Sequence, residues 1–440
     1  MSRGLLIAAP ASGSGKTAVT LALLRHFRDA GLAVGSIKVG PDYIDPAFHR
    51  AASGRPCFNL DSWAMRPATL AATLARAAEN SELILGEGVM GLFDGAGPDG
   101  LGSTATLAAA TGWPVVLVVD ARGMGASAAA LVEGFLAHRP ASGAAAPIAG
   151  VIFNRVGGPG HGELLRAACA GLPVPVLGCL RRRDGLVLPE RHLGLVQAAE
   201  HADLEAFLEA AAAAAAEDLD LEALAGLARP AALAPQGDAG PALPPLGQRI
   251  AVARDPAFAF AYPSLLEGWR AAGAELSFFS PLGDEAPEPA AEAVYLPGGY
   301  PELWAGRLAG NQGFLAGLRA AAARGDAVYG ECGGYMVLGR TLIDAEGARH
   351  AMAGLLPVTT SFAARRLSLG YREVTQAAAT PLGPAGAAFR GHEFHYAVLD
   401  DGEGATPLYR GRDAAGRDLG PLGARAGQVF GSFVHLIDRL

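Results

Sequence analysis

Leu5-Leu6-Ile7-Ala8-Ala9-Pro10-Ala11-Ser12-Gly13-Ser14-Gly15-Lys16-Thr17 runs from an apolar stretch into a small-residue loop that ends in lysine and threonine. Beyond it, Val19 to Phe27 carries an apolar pattern with helical spacing. Strand, glycine loop and helix in that order predict a phosphate cradle. The small residues Gly13, Ser14 and Gly15 let backbone N–H groups approach phosphates, and the helix N-terminus favours negative charge. Lys16 supplies a cation and Thr17 a hydroxyl for magnesium. One position departs from G-x-x-x-x-G-K-[ST], because Pro10 stands where the first glycine would be. A merely flexible glycine turn would explain neither the lysine nor the threonine.

Short apolar runs follow at Val34–Val39, Leu83–Leu85, Val115–Val119 and Ile148–Phe153, separated by longer helical patterns. Such alternation predicts an α/β domain with a parallel sheet covered on both faces. Polar groups stand where these strands end, the place at which open α/β sheets bind ligands. They are Lys38 through Pro46 (KVGPDYIDP), Gly86 through Gly95 (GEGVMGLFDG) and Asp120. Carboxylates converging on a triphosphate suit magnesium, so Asp42, Glu87 and Asp94 are the candidate ligands beside Thr17. For Asp120 a capping or turn role is equally open.

The chain has 440 residues, beyond the roughly 250–300 at which one core stops growing, so two domains are expected. With 51% hydrophobic and 18% charged residues it has material for sizeable cores. A formal charge of -8 offers no general basic field for a nucleic-acid backbone. No stretch reaches the roughly 18 apolar residues of a membrane span, and the start reads as a buried strand, since cleavage of a secretion signal there would destroy the glycine-lysine loop. Cys57, Cys169, Cys179 and Cys332 lack metal-ligand pairing and suggest a reducing compartment, so the expected location is cytoplasmic.

Composition divides the chain at 1–200, 201–248 and 249–440. The middle stretch holds an alanine run at 210–216, a helical pattern to Leu227 and then Pro230, Pro235, Pro241, Pro244 and Pro245, and it reads as a helical, proline- and alanine-rich linker. A new strand opens at Arg249–Ala253, and α/β alternation resumes.

In that last part Ala327-Val328-Tyr329 leads into Gly330-Glu331-Cys332-Gly333-Gly334, ahead of a helix beginning at Tyr335. This is the nucleophile-elbow pattern with cysteine in the nucleophile's place, its glycines relieving the crowding of a tight strand-to-helix turn. The helix N-terminus is expected to lower the Cys332 pKa. His435 is the candidate base, paired in space rather than in sequence. Leu296-Pro297-Gly298-Gly299-Tyr300-Pro301 is a glycine turn able to aim an N–H of Gly299, with that of Gly333, at a developing oxyanion. His392-Glu393-Phe394-His395 could ligate a metal, but it lacks the i, i+4 pair of a helical zinc site, and a substrate-docking or domain-interface strand is the favoured reading.

With these residues in place the chain resembles the cobyrinate and hydrogenobyrinate a,c-diamide synthases of cobalamin biosynthesis. The likeness runs through KVGPDYIDP, Arg55–Asp61 (RPCFNLD), GEGVMGLFDG, Val118–Ala121 (VVDA), Asn154-Arg155, Pro189–Leu195 (PERHLGL), Pro297–Leu303, Glu331–Gly334 and Arg390–Tyr396. It implies a dethiobiotin-synthetase-like N-terminal domain that binds ATP and corrin, and a class I glutamine amidotransferase domain. ATP with Mg2+ would phosphorylate the c and then the a acetate of a corrin, and ammonia from L-glutamine would displace each phosphate. Cys332 would be the glutamine nucleophile and His435 its activator. Lys38, Asp42, Tyr43 and Asp45, with Glu87 and Asp94, would hold magnesium, phosphate and the reacting carboxylate, and Asn154 would contact adenine.

Many class I amidotransferases carry a glutamate two residues after the histidine; here Ile437 occupies that position, which leaves the orienter of His435 unassigned. Asp438 is adjacent but would point to the opposite face from Ile437. The implied partner is a corrin, with no nucleic acid or membrane, and a homodimer stays open. Cobalt in the ring also stays open, as do a sibling activity on another corrin carboxylate or a nickel sirohydrochlorin. A different class, a partitioning-type P-loop ATPase with a ligand-sensing domain, would leave the Cys332 elbow unexplained.

Overall fold

The computed structural model describes residues 2–186, 188–191, 194–233, 240–402 and 404–440. The chain forms two compact units. The first takes the chain up to Trp63 and from Leu70 to the 234–239 stretch; the second takes Ala64–Thr69 and the chain beyond that stretch.

The first unit is built on seven parallel strands: β1 (Arg3–Ala8), β2 (Val34–Val39), β3 (Cys57–Leu60), β4 (Leu83–Glu87), β5 (Val115–Asp120), β6 (Ile148–Val156) and β7 (Val176–Arg181). Their spatial order is β3-β2-β4-β1-β5-β6-β7. The central strands are apolar on both faces, as a doubly covered sheet requires, and Leu5, Leu6 and Ile7 are fully buried. The expected strands are all present. β3 and β7 were not anticipated, being short or only partly apolar.

Helix α1 (Lys16–Asp29) follows β1 through the glycine loop, and α2 (Asp45–Ser53) follows β2. The alanine run lies in the helix Leu204–Asp218, which packs along α1, where buried Arg25 reaches Glu205 at 2.6 Å. The short strand Arg229–Pro230 then pairs antiparallel with β1. Residues 201–230 are therefore integral to the first unit, and Pro241, Pro244 and Pro245 belong to the second, where Leu243 is buried and its carbonyl accepts from Trp269 Nε1 at 3.2 Å, so most of the expected linker is part of one unit or the other. Pro235 lies outside the described residues. So do His192 and Leu193 of the PERHLGL segment, whose flanks Glu190–Arg191 and Gly194–Leu195 pair antiparallel.

The second unit contains a six-stranded sheet in the order Glu275–Phe279, Arg249–Ala253, Ala293–Leu296, Ala327–Glu331, Val429–Ser432 and Ala424–Ala426, parallel except at its last strand. A five-stranded antiparallel sheet contains Ser368–Gln376, Ala388–His395 and His435–Arg439. The chain passes from the first of these sheets to the second at Phe433-Val434. This corner delivers His435 beside the end of the Ala327–Glu331 strand, since Glu331 pairs with Ser432.

Candidate active sites

In the first unit the glycine loop adopts the backbone its residues allow. Gly13 and Gly15 have φ of 76° and 88°, a region side chains disfavour. A methyl on Gly15 would also run into Nδ2 of Asn154. That amide donates to the Ser14 carbonyl at 3.0 Å, while its Oδ1 accepts the Arg155 N–H. Arg155 Nη1 bridges the Gly13 carbonyl and Asp120 Oδ2 at 2.7 and 2.6 Å. Asp120 also accepts from the Arg122 N–H, so it anchors a turn and an arginine against the loop. Arg155 was quoted in the sequence beside Asn154 but given no role there.

Lys16 Nζ donates to the Met90 carbonyl at 2.7 Å. Met90 holds φ of 47°, a strained conformation for a side-chain-bearing residue that costs ~1–3 kcal/mol and turns its carbonyl toward the lysine. Burial, then the nearby Lys38, lowers the Lys16 pKa to about 8, with Glu87, Asp45 and Asp94 opposing. Asp94 accepts the Gly91 N–H at 2.8 Å and so closes the turn after β4.

Beneath the loop the expected polar residues converge. Thr17 Oγ1 donates to Glu87 Oε1 at 2.6 Å, and Lys38 Nζ reaches Asp45 Oδ2 at 2.5 Å and Glu87 Oε1 at 2.9 Å. Asp42 Oδ2 lies 3.8 Å from the same ammonium, while its Oδ1 accepts the N–H groups of Ile44 and Asp45 and starts α2. Tyr43 sits half-buried in that turn. Burial opposes charge throughout the cluster, but Asp45, Glu87 and Asp42 outweigh it at Lys38 and hold the ammonium above its ordinary range. At Glu87, Lys38, His49 and Thr17 likewise outweigh burial and keep the carboxylate well below the usual range.

His49 was missed. Its Nε2 meets Glu87 Oε2 at 2.7 Å and its Nδ1 lies 3.4 Å from Cys57 Sγ. The signal was present, because His49 stands one helical turn after Asp45 on α2 and shares its face.

In the second unit Cys332 has φ of 46° and ψ of −102°, the strained bend expected of a nucleophile elbow. The glycines around it are required by contact. A methyl on Gly334 would strike the Leu296 backbone, and one on Gly330 would lie 2.7 Å from the Gly334 backbone. A methyl on Gly333 would sit 3.1 Å from the Gly299 nitrogen, so the two segments expected to bind an oxyanion are neighbours. A methyl on Gly298 would lie 3.1 Å from His435 Nε2 and 3.3 Å from Cys332 Cβ, so the glycine at 298 is what lets base and nucleophile flank the same point.

The expectation of an acidified thiol is overturned. The helix after Cys332 is only Gly333–Leu338, and the side chain is buried. Burial first, then Glu302, pushes the thiol up, and the Gly333 N–H pulls it back only partly. Burial together with His392 and His395 pushes His435 down to about 3. The resting pair is thus a neutral thiol and a neutral imidazole.

His392-Glu393-Phe394-His395 lies beside this centre, with His392 in register with His435. Glu393 accepts from Arg372 at 2.6 Å and meets His395 Nε2 at 2.9 Å, and the His395 ring stacks on Phe433. Asp438 is held by the Arg66 guanidinium at 2.9 Å and by its backbone N–H at 2.8 Å, which accounts for that carboxylate without His435.

Glu331 was quoted in the sequence but given no part. Its Oε1 accepts the Tyr329 hydroxyl at 2.7 Å and the Leu436 N–H at 3.1 Å; its Oε2 accepts the Tyr295 hydroxyl at 2.7 Å. That Oε2 lies 3.8 Å from His435 Nδ1.

Comparison with known proteins matches residues 5–196 to the CobQ/CobB/MinD/ParA nucleotide binding domain and residues 249–439 to the CobB/CobQ-like glutamine amidotransferase domain. The hydrogenobyrinate a,c-diamide synthase of Rhizobium meliloti (strain 1021) is 56% identical over 439 residues, 99% of each chain. The protein of the same name from Brucella suis biovar 1 (strain 1330) is 56% identical over 440 residues, covering 99% of this chain and 98% of that one. That of Rhodobacter capsulatus is 54% identical over 438 residues with the same coverage.

Proposed function

The chain belongs to the hydrogenobyrinate a,c-diamide synthase family, and from that premise we propose that it amidates the a and c acetate side chains of hydrogenobyrinate with ATP and glutamine. The relatives' shared name supports the cobalt-free ring over cobyrinate. The amidotransferase match over 249–439 leaves no room for a regulatory ATPase with a ligand-sensing domain.

A carboxylate is a poor electrophile, so the first centre transfers the γ-phosphoryl group of ATP to a substrate carboxylate oxygen, releasing ADP and leaving an acyl phosphate. Loop N–H groups at Gly13, Ser14 and Gly15 with Lys16 hold the phosphates, and Lys38 steadies the charge that moves between donor and acceptor. Asn154 borders the loop, where an adenine contact is compatible with its position. Of the residues expected to hold magnesium, Thr17 touches Glu87 and Asp42 lies against the same Lys38 ammonium, while Asp94 holds the Gly91 N–H; their oxygen donors are of the kind magnesium takes, and the ion when bound would neutralise phosphate charge.

In the second centre Cys332 attacks the glutamine carboxamide while its proton passes to His435 Nε2. The N–H groups of Gly299 and Gly333 receive the oxyanion, the proton follows the departing ammonia, and water hydrolyses the thioester to glutamate. Ammonia then attacks the acyl phosphate and displaces phosphate.

The observation that carries this reading is the strained Cys332 elbow shared around Gly298 with His435. Purified protein given ATP, glutamine and either hydrogenobyrinate or cobyrinate should yield a diamide by mass spectrometry, with preference for the cobalt-free ring. Intact glutamine and unchanged substrate in both mixtures would refute it. Among the described residues no helix is long and apolar enough to cross a membrane. A cytoplasmic location, in which the metabolite ATP is at hand, is part of the proposal. A homodimer, tested by sedimentation, belongs to the same proposal.

A further inference from the structure

A neutral imidazole can take the Cys332 proton only if its Nε2 lone pair faces the thiol, which requires the proton to sit on Nδ1. Which ring nitrogen is protonated is set by the partner of the other. Downstream of His435 no carboxylate serves: Ile437 is apolar, and Asp438 is bound by Arg66.

Glu331 meets the requirement from a different direction in the chain. It ends the strand that carries the nucleophile, is 1% exposed, and has its carboxylate plane held by three donors. One of them is the N–H of Leu436, the residue after His435, so the same carboxylate fixes the backbone that presents the ring. Cys332 N–H donates to the Ser432 carbonyl at 2.8 Å, knitting nucleophile and base strands together just above it. Tyr295 and Tyr329 stack with ring centroids 5.7 Å apart and aim both hydroxyls at the carboxylate. A buried acid with this donor set is expensive to keep for stability alone, because apolar residues of similar volume usually fill such space as well or better. Its Oε2, already the acceptor for Tyr295, is the oxygen turned toward Nδ1. At 3.8 Å the contact is longer than a hydrogen bond, as catalytic pairs often are before substrate binds.

We propose that Glu331 is the positioning acid of the glutaminase centre: its Oε2 accepts the Nδ1–H of His435, leaving Nε2 to take the Cys332 proton, and it stabilises the imidazolium that forms. The inference rests on the reading of Cys332 and His435 as a glutamine-hydrolysing pair. Burial lifts the Glu331 pKa to about 7, with Tyr329, Tyr295 and the Leu436 N–H drawing it back, so a large share is ionised at neutral pH. His392, His395 and Glu393 also face His435, but His395 and Glu393 satisfy each other.

The test labels histidine with 15N in the whole protein and assigns His435 by its loss in His435→Asn. Wild type should show His435 protonated on Nδ1. Glu331→Gln, which keeps shape and removes charge, should lower kcat for glutamine hydrolysis by roughly 100-fold or more with KM for glutamine within about twofold, and should shift the tautomer. A wild-type ring protonated on Nε2 overturns the proposal, as does a Glu331→Gln kcat within about threefold of wild type. If Glu331→Gln fails to fold, the wild-type tautomer decides. Absence of glutaminase in wild type would sink the proposed function instead, and the tautomer would still judge Glu331.

Discussion

Glu87 and Glu331 each end a parallel strand, each is almost wholly buried, and burial alone would raise both. Yet Glu87 is held well below the usual carboxylate range and Glu331 is lifted to about 7. The difference lies in their partners. Glu87 faces the Lys38 ammonium and the His49 ring, and cations stabilise its charge; Glu331 faces two phenols and a peptide N–H, which soften the desolvation without cancelling it. The first centre keeps charge because it must meet a triphosphate and a carboxylate. The second is kept neutral at rest, so that thiolate and imidazolium form only as glutamine reacts.

The sharpest separation of the two centres should come from Cys332→Ala, which should cut glutamine-dependent synthesis by roughly 10⁵-fold while leaving ammonia-dependent synthesis nearly intact in a coupled ADP assay. Equal loss with both nitrogen donors would break the division. Lys16→Ala should instead lower synthesis from either donor by roughly 10²–10³-fold, because it removes charge from the step both share. Loss confined to glutamine would reverse the assignment.

Glu87→Gln sharpens the contrast through stability. It leaves His49 without its carboxylate and Lys38 with Asp45 and Asp42 alone, and should cost roughly 3 kcal/mol in the first unit, read by pulse proteolysis in urea with peptides assigned to each unit. An effect below about 1 kcal/mol would mean that the cluster does not depend on that charge.

The pH response should also differ. His49 is raised from 6.5 to about 10, since Cys57 and Glu87 outweigh burial, so its contribution is complete below pH 6.5 and is lost as pH rises toward 10. Between pH 7 and 8 the first unit should therefore lose on the order of 1 kcal/mol, with Asp45, raised to about 7, adding to the loss and Lys16, lowered to about 8, opposing it. Over the same interval the second unit should lose only roughly a few tenths of a kcal/mol, because Glu331, raised to about 7, completes its titration while the last protons leave unfolded His435 and offset part of the loss. An equally steep slope in both units, or one undiminished in His49→Gln, would contradict this. The smallest effect is expected of Tyr329→Phe: about 1 kcal/mol from the second unit and a further rise in the Glu331 pKa, followed by infrared titration of its carboxyl.

Much of both centres was legible beforehand. The glycine loop, the strand ends at Lys38 and Glu87 and the elbow at Cys332 are local patterns, and local sterics set them. What escaped were contacts without a local signature. His49 looked like an ordinary helical residue, and Arg66 gave no sign of reaching Asp438 across 372 positions. The thiol was misjudged because a helix N-terminus can be read from sequence, whereas the burial that overrides it cannot.

The residues alone determined that strand, glycine loop and helix would follow one another around Lys16 and that a glycine-flanked cysteine would sit in a strained bend at a strand end, because each follows from backbone conformations open to neighbouring residues. Tertiary structure alone decided the charge on each group and the partner of each acid. Those depend on how much water is excluded and on which strand arrives alongside, as Leu436 arrives at Glu331 from 105 residues away.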